Sequence, residues 1–215
     1  MLISVEGCLG VGKSSLVQRC AERLKCTPFY EEVVTNPFLL DFYREKGYAM
    51  HVQYTFLMLQ ERRFRAAVEQ AKKGSNTTTQ HRPHALALPK PATSATVICD
   101  FHPFKSLIFS SVVLQAEQRA PLKQVYQLLR IPQPDLVVYL RADEHTILAR
   151  LRKRSDVYRS DIDFTYVTQV CSAYDTFFRT YSGPCVTIDT THIDYVSNPQ
   201  EMSVLLQQIP FLFSS

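Results

Sequence analysis

The stretch Gly7-Cys8-Leu9-Gly10-Val11-Gly12-Lys13-Ser14 carries the residue types that grip a polyphosphate: glycine, four residues, then Gly-Lys-Ser. Glycines at positions 7, 10 and 12 permit positive φ and let backbone N–H groups come close to an anion. Lys13 supplies a compact ammonium for β- and γ-phosphates, Ser14 a hydroxyl for Mg²⁺, and Ser15 continues the binding segment. Other groups suited to phosphate chemistry lie further along. They are the paired carboxylates Glu31-Glu32, the acid Asp100 after an apolar run, and the cation run Arg150-Leu151-Arg152-Lys153-Arg154. Together they imply a nucleoside triphosphate ligand, with carboxylates and arginines placed to act on it.

These groups need elements to hold them. Leu2-Ile3-Ser4-Val5 reads as a buried strand, and Leu16, Val17, Cys20, Ala21 and Leu24 recur at helical spacing just after the loop. A strand running into a glycine loop and then a helix is the context that loop requires, because the helix directs its positive end at the anion. A second strand is predicted over Pro28–Val34, with Glu31 and Glu32 at or near its end, where a solvated strand end is the competing reading. Asn36-Pro37 opens a helix bearing Phe38, Leu39, Phe42 and Tyr43, and a long helix follows over about 48–73. Residues 74–95, rich in Asn, Thr, Gln, His and Pro, read as an inserted mobile surface loop. Strands at 96–100, 135–140 and 184–189 alternate with helical segments, and the last helix covers 201–208. The βαβ rhythm predicts an α/β fold, a parallel sheet flanked by helices.

The chain of 215 residues is long enough for one α/β domain with a sizeable core. Its net charge of +4 is too mild to imply a nucleic-acid partner. Six cysteines are scattered, none at metal-ligand spacing, so reduced thiols in a cytoplasmic protein are expected. With the first strand starting at residue 2, no leader peptide is expected, and no apolar run has the length of a membrane span.

Taken in order, the phosphate loop, Glu31-Glu32, Asn36-Pro37-Phe38-Leu39, Gln53, Asp100-Phe-His-Pro-Phe-Lys105-Ser-Leu-Ile-Phe109, Pro134-Asp135-Leu-Val-Val-Tyr-Leu140 and the Arg150–Arg154 run resemble the deoxyribonucleoside kinases. The bacterial deoxyguanosine and deoxyadenosine kinase branch is the nearest match. The resemblance implies a P-loop kinase fold with a five-stranded parallel sheet and an Arg-rich lid at 150–163. It also implies γ-phosphoryl transfer from ATP, with Mg²⁺, to the 5′-hydroxyl of a deoxynucleoside, and a homodimer. It assigns the general base to Glu32 with Glu31 as its neighbour, the base-reading amide to Gln53, a ring against the base to Phe109, and a contact near the 3′-hydroxyl to Tyr43. Asp100 is then a Mg²⁺ partner, and Arg150 and Arg154 clamp the transferring phosphate.

Departures from the pattern matter. Phe101-His102 follows Asp100 where relatives carry Arg-Ser, so Lys105 is expected to replace the missing cation. In the lid, Ser155-Asp156 and Arg159 stand where an arginine and an acid are usual, which leaves Asp161 or Asp163 to supply the acid. Two alternatives stay open: a nucleoside monophosphate kinase of the thymidylate kinase type, and a weakly catalytic regulatory subunit. The lack of an Asn-Lys-x-Asp motif argues against a switch GTPase. Lys13→Ala is expected to lower phosphoryl transfer by about 10²-fold or more while the melting curve stays native, because the loop lysine acts on phosphate charge and contributes little core; initial rates and calorimetry check both halves.

Overall fold

In a computed structural model of the chain, residues 1–45, 47–76, 96–153 and 164–209 are described. The Arg154–Asp163 part of the expected lid, and all of the expected insertion beyond Asn76, lie outside them.

The first strand, β1 (Leu2–Glu6), is buried along its whole length, and the phosphate loop carries it into α1 (Lys13–Leu24). β2 (Thr27–Phe29) is far shorter than the predicted strand. The chain leaves the sheet at Tyr30, and Val33–Thr35 coil into a single 3₁₀ turn. Pro28 donates no ladder hydrogen bond, and the Glu31 N–H is drawn instead to the Asp100 carboxylate at 2.7 Å. Then come α2 (Leu39–Glu45) and α3 (Ala49–Asn76), whose end overruns the expected start of the insertion by about one turn. β3 (Val97–Cys99), α4 (Lys105–Val113) and α5 (Ala116–Leu128) follow. The chain closes with β4 (Leu136–Arg141), α6 (Glu144–Arg152), α7 (Phe164–Thr180), β5 (Cys185–Asp189) and α8 (Pro199–Gln207). Asp143 caps α6 through the Thr146 N–H, and Asn198 caps α8 through Gln200 and Glu201.

All five strands are parallel, in the order β2-β3-β1-β4-β5. A parallel sheet is buried on both faces, and the near-continuous apolar reading of β1 and β4 follows from that. On one face Leu16, Val17 and Cys20 of α1, with Met202, Leu205 and Leu206 of α8, cover Ile3, Val5 and Val138. On the other, α4 and α7 pack Ile108, Val167, Val170 and Tyr174 against Val137 and Tyr139. Phe64 of α3 and Leu122 of α5 cover Leu2, Val97 and Cys99. Strand order reverses direction between β1 and β3, so the loops after these two strands open a crevice at the carboxyl edge of the sheet.

Gly12 shows how tightly that edge is closed. Its φ is +105°, and a Cβ there would lie 1.9 Å from the hydroxyl oxygen of Tyr195, which in turn donates to the Val11 carbonyl at 3.0 Å. Gly12→Ala should therefore destabilise the fold by about 2 kcal/mol or more, through left-handed strain and overpacking together; denaturant unfolding of the full chain measures it.

Candidate active site

The phosphate loop spans Gly7–Ser14 between β1 and α1. Gly7 also has positive φ (+146°), and a Cβ there would meet the Leu140 carbonyl oxygen at 2.2 Å, so a side chain cannot enter. Lys13 folds back over the loop, its ammonium donating to the carbonyls of Gly7 (2.8 Å) and Cys8 (3.1 Å). Burial and the neighbouring Lys105 push its pKa down to about 8, although Glu6, Glu31 and Asp100 oppose that shift. Ser14 donates to Asp100 Oδ2 at 2.6 Å. Burial raises the Asp100 carboxyl above its usual range, against the hydrogen bond from Ser14. The Cys8 thiol points away from this cleft, toward the Val167 carbonyl on α7, so only its backbone is available to a phosphate.

Glu31, and not Glu32, occupies the cleft. Its carboxylate forms an ion pair with Lys105, both side chains being almost buried, and accepts a hydrogen bond from Gln60 Nε2 at 2.5 Å. Burial by itself would raise its pKa, but the charge and hydrogen bond of Lys105, with the bond from Gln60, hold it below the usual carboxylate range. Gln60 is anchored in turn, its Oε1 accepting from Ser106 at 2.9 Å. Glu32 turns outward and pairs with Arg62 and Arg63 on the α3 surface, each at 3.3 Å. The structure thus brings Glu31, and not the expected Glu32, into the cleft: once the chain leaves the sheet at Tyr30, consecutive side chains diverge, and of the two only Glu31 is aimed inward.

Two cavities meet at Glu31 and Lys105. One is lined by Leu9, Gly10, Gly12, Lys13, Ser14 and Asp100, which is the phosphate side. The other is largely apolar and brings Tyr43, Gln53 and Phe109 together with Leu39, Phe42, Val52, Phe56, Gln60, Ser106 and Tyr166. Lys105 Nζ lies 5.5 Å above the Phe109 ring, and Phe109 meets Tyr174 edge-on. Gln53 is 3% exposed and lines this cavity.

A third cavity opens on the far side of the loop, between Gly10–Gly12, Ser15 and the 191–197 segment after β5. Arg150 belongs to its wall. Its guanidinium donates to the carbonyls of Thr190 (2.7 Å), Ile193 (3.1 Å) and Val11 (3.4 Å) and to the Thr190 hydroxyl (3.1 Å). Arg150, expected as a phosphate clamp, here buttresses the loop, because the last turn of α6 sits over converging carbonyls that suit a planar five-donor fork. Arg154, the other expected clamp, lies outside the described residues.

Sequence reading missed Glu6, Gln60, Ser106 and Tyr166. Gln60 had a usable signal, since it lies two turns after Gln53 on the same face of α3. Glu6 had another, as the one acid in an otherwise apolar strand run. Tyr166 had none, because its place depends on how α7 crosses the cavity.

The pairing of Glu31 with Lys105 has a consequence for stability. Lys105→Met should cost about 3 kcal/mol by leaving a buried carboxylate without its partner, and adding Glu31→Gln should recover most of that loss; denaturant unfolding of the two single variants and the double variant closes the cycle.

The family model described as deoxynucleoside kinase matches residues 3–213. The chain is 26% identical over 207 residues to the deoxyguanosine kinase of Bacillus subtilis, covering 93% of this chain and 91% of that one. It is likewise 26% identical over 216 residues to the deoxyadenosine kinase of Lactobacillus acidophilus, covering 97% and 94%. Among solved structures, the deoxyadenosine kinase from M. mycoides with bound dATP superposes with a TM-score of 0.72 at 21% identity, covering 97% of this chain and 98% of that chain. At that identity the structural likeness speaks for the fold, which is the P-loop kinase fold.

Proposed function

This chain belongs to the deoxynucleoside kinase family and is an enzyme that phosphorylates deoxynucleosides; on that premise we propose ATP as its donor and the 5′-hydroxyl of a purine deoxynucleoside as its acceptor. The convergence of Glu31, Lys105, Gln53 and Phe109 on one cavity beside the phosphate loop carries this reading. A nucleoside seated there places its base against Phe109 with Gln53 pairing its edge, since an amide offers one donor and one acceptor side by side. The sugar lies toward Tyr43, and the 5′-hydroxyl is directed at Glu31. Glu31 is the general base, orienting the hydroxyl and taking its proton, while Lys105 holds the carboxylate ionised and turned toward the cleft. Lys105 thereby fills the place of the cation missing after Asp100. Purine preference rests on the deoxyguanosine and deoxyadenosine kinases among the relatives.

Mg²⁺ fits the residues present. Ser14 and Asp100 bring two hard oxygens together at the edge of the phosphate cavity, and Mg²⁺ usually takes one or two protein oxygens and fills the rest with water and phosphate. When bound, the ion neutralises charge on the transferring phosphate. The protein's own part is Lys13 at the β- and γ-phosphates and the loop amides around them. The donor's base occupies the cavity buttressed by Arg150. A cytoplasmic homodimer of one-domain chains acting in nucleotide salvage completes the reading. Six free cysteines support the reducing compartment alone.

Turnover on a panel of the four deoxynucleosides and thymidylate, with ATP and Mg²⁺, tests the acceptor; activity confined to thymidylate would favour a monophosphate kinase. Glu31→Gln is expected to lower kcat by about 10²-fold or more with little change in KM for the deoxynucleoside, whereas Glu32→Gln stays within about threefold of wild type. Steady-state kinetics of both variants decide between the two positions.

A further inference from the structure

Glu6 is the last residue of β1 and is fully buried directly beneath the phosphate loop, yet nothing in the reaction described above uses it. Its carboxylate accepts three hydrogen bonds, from three different segments. The Gly7 N–H donates from the start of the loop at 3.4 Å. The His102 N–H donates from the turn between β3 and α4 through a short contact, and the Tyr174 hydroxyl donates from α7 at 3.1 Å. Among the described residues Glu6 makes no ion pair, so a buried carboxylate is held by neutral donors alone.

What those donors carry gives the arrangement its meaning. Gly7 donates its N–H to Glu6, and its carbonyl, in the following peptide group, accepts from the Lys13 ammonium. His102 donates its N–H to Glu6, and its carbonyl, in the following peptide group, accepts the backbone N–H of Lys105, the first residue of α4. Both lysines of the site are therefore bonded to residues that one carboxylate holds, Lys13 through its ammonium and Lys105 through its backbone N–H. The charged and titratable groups facing it are Lys13 from α1, Lys105 from α4, Glu31 after β2, Cys99 from β3 and Tyr174 from α7. Burial lifts the Glu6 pKa to about 7, against the pull of Lys105 and Lys13.

We propose that Glu6 is a positioning residue for phosphoryl transfer: its buried negative charge fixes Gly7, whose carbonyl holds the Lys13 ammonium, and His102, on whose carbonyl α4 and Lys105 begin, and it keeps both ammonium groups charged in a site shielded from water. It touches neither substrate nor phosphate and acts through the two lysines. This deepens the kinase reading above and rests on it.

The test uses the full chain with ATP, Mg²⁺ and whichever deoxynucleoside the wild type phosphorylates. Glu6→Gln keeps the shape and removes the charge. Its expected result is a kcat lower by about tenfold or more, with KM for the deoxynucleoside within about threefold, because Gln53, Phe109 and Tyr43 do not touch Glu6. In the wild type, kcat should fall toward acid with a midpoint near 7, and Glu6→Gln should lose that limb. Tyr174→Phe serves as the second variant, and alone if Glu6→Gln does not fold. It removes one donor to the anion, so the acid limb should move to higher pH by about half a unit or more. A folded Glu6→Gln enzyme with kcat within about threefold of wild type overturns the proposal, and so does a Tyr174→Phe limb that stays in place. Absence of wild-type turnover on every deoxynucleoside would instead overturn the functional reading, and this inference with it.

Discussion

Two ammonium groups and three carboxylates, those of Lys13, Lys105, Glu6, Glu31 and Asp100, share a space largely closed to water at the carboxyl edge of the sheet. No other arrangement in the described residues concentrates so much charge, and the surrounding elements are ordered by the need to satisfy it. Desolvating five ionised groups is costly unless each finds an opposite charge or a hydrogen bond. Glu31 finds Lys105 and Gln60, Asp100 finds Ser14 and the Glu31 N–H, and Glu6 finds three donors. β1, β2, β3, α4 and α7 are drawn to one point by these bonds as well as by apolar contact.

The same closeness explains the shape of the phosphate loop. Tyr195 presses its ring where a Gly12 side chain would be, and Leu140 presents a carbonyl where a Gly7 side chain would be. Glycine is required there first by its neighbours, and the approach of a phosphate is an added reason. Arg150 and Tyr195 both bind the Val11 carbonyl, so the loop is gripped from the side of the cavity after β5 while Glu6 holds it from below. A loop fixed from two directions keeps its amides oriented before a ligand arrives, and that preorganisation is the main way a protein assists phosphoryl transfer.

The fold was largely legible in the chain. The apolar runs at 2–5 and 135–140 mark the two central strands, and the alternation of strand and helix leads to the parallel sheet that the structure contains. Legibility declined where local pattern and tertiary bonding competed. The stretch 28–34 is rich in strand-forming residues, yet it leaves the sheet after Phe29 because the Asp100 carboxylate takes the Glu31 N–H.

By itself the sequence determined the phosphate loop, the parallel sheet and the types of residue available for chemistry, because glycine spacing and hydrophobic period are local properties of the chain. Only the tertiary structure decided which of two adjacent glutamates enters the cleft. It likewise turned Arg150 toward backbone carbonyls, and joined Gln60 and Ser106 to Glu31. Glu31 and Glu32 are chemically identical and one position apart; what separates them is the direction in which the chain departs from the sheet. That direction is set by Asp100, 69 residues away, and a contact over such a separation leaves no trace in local spacing.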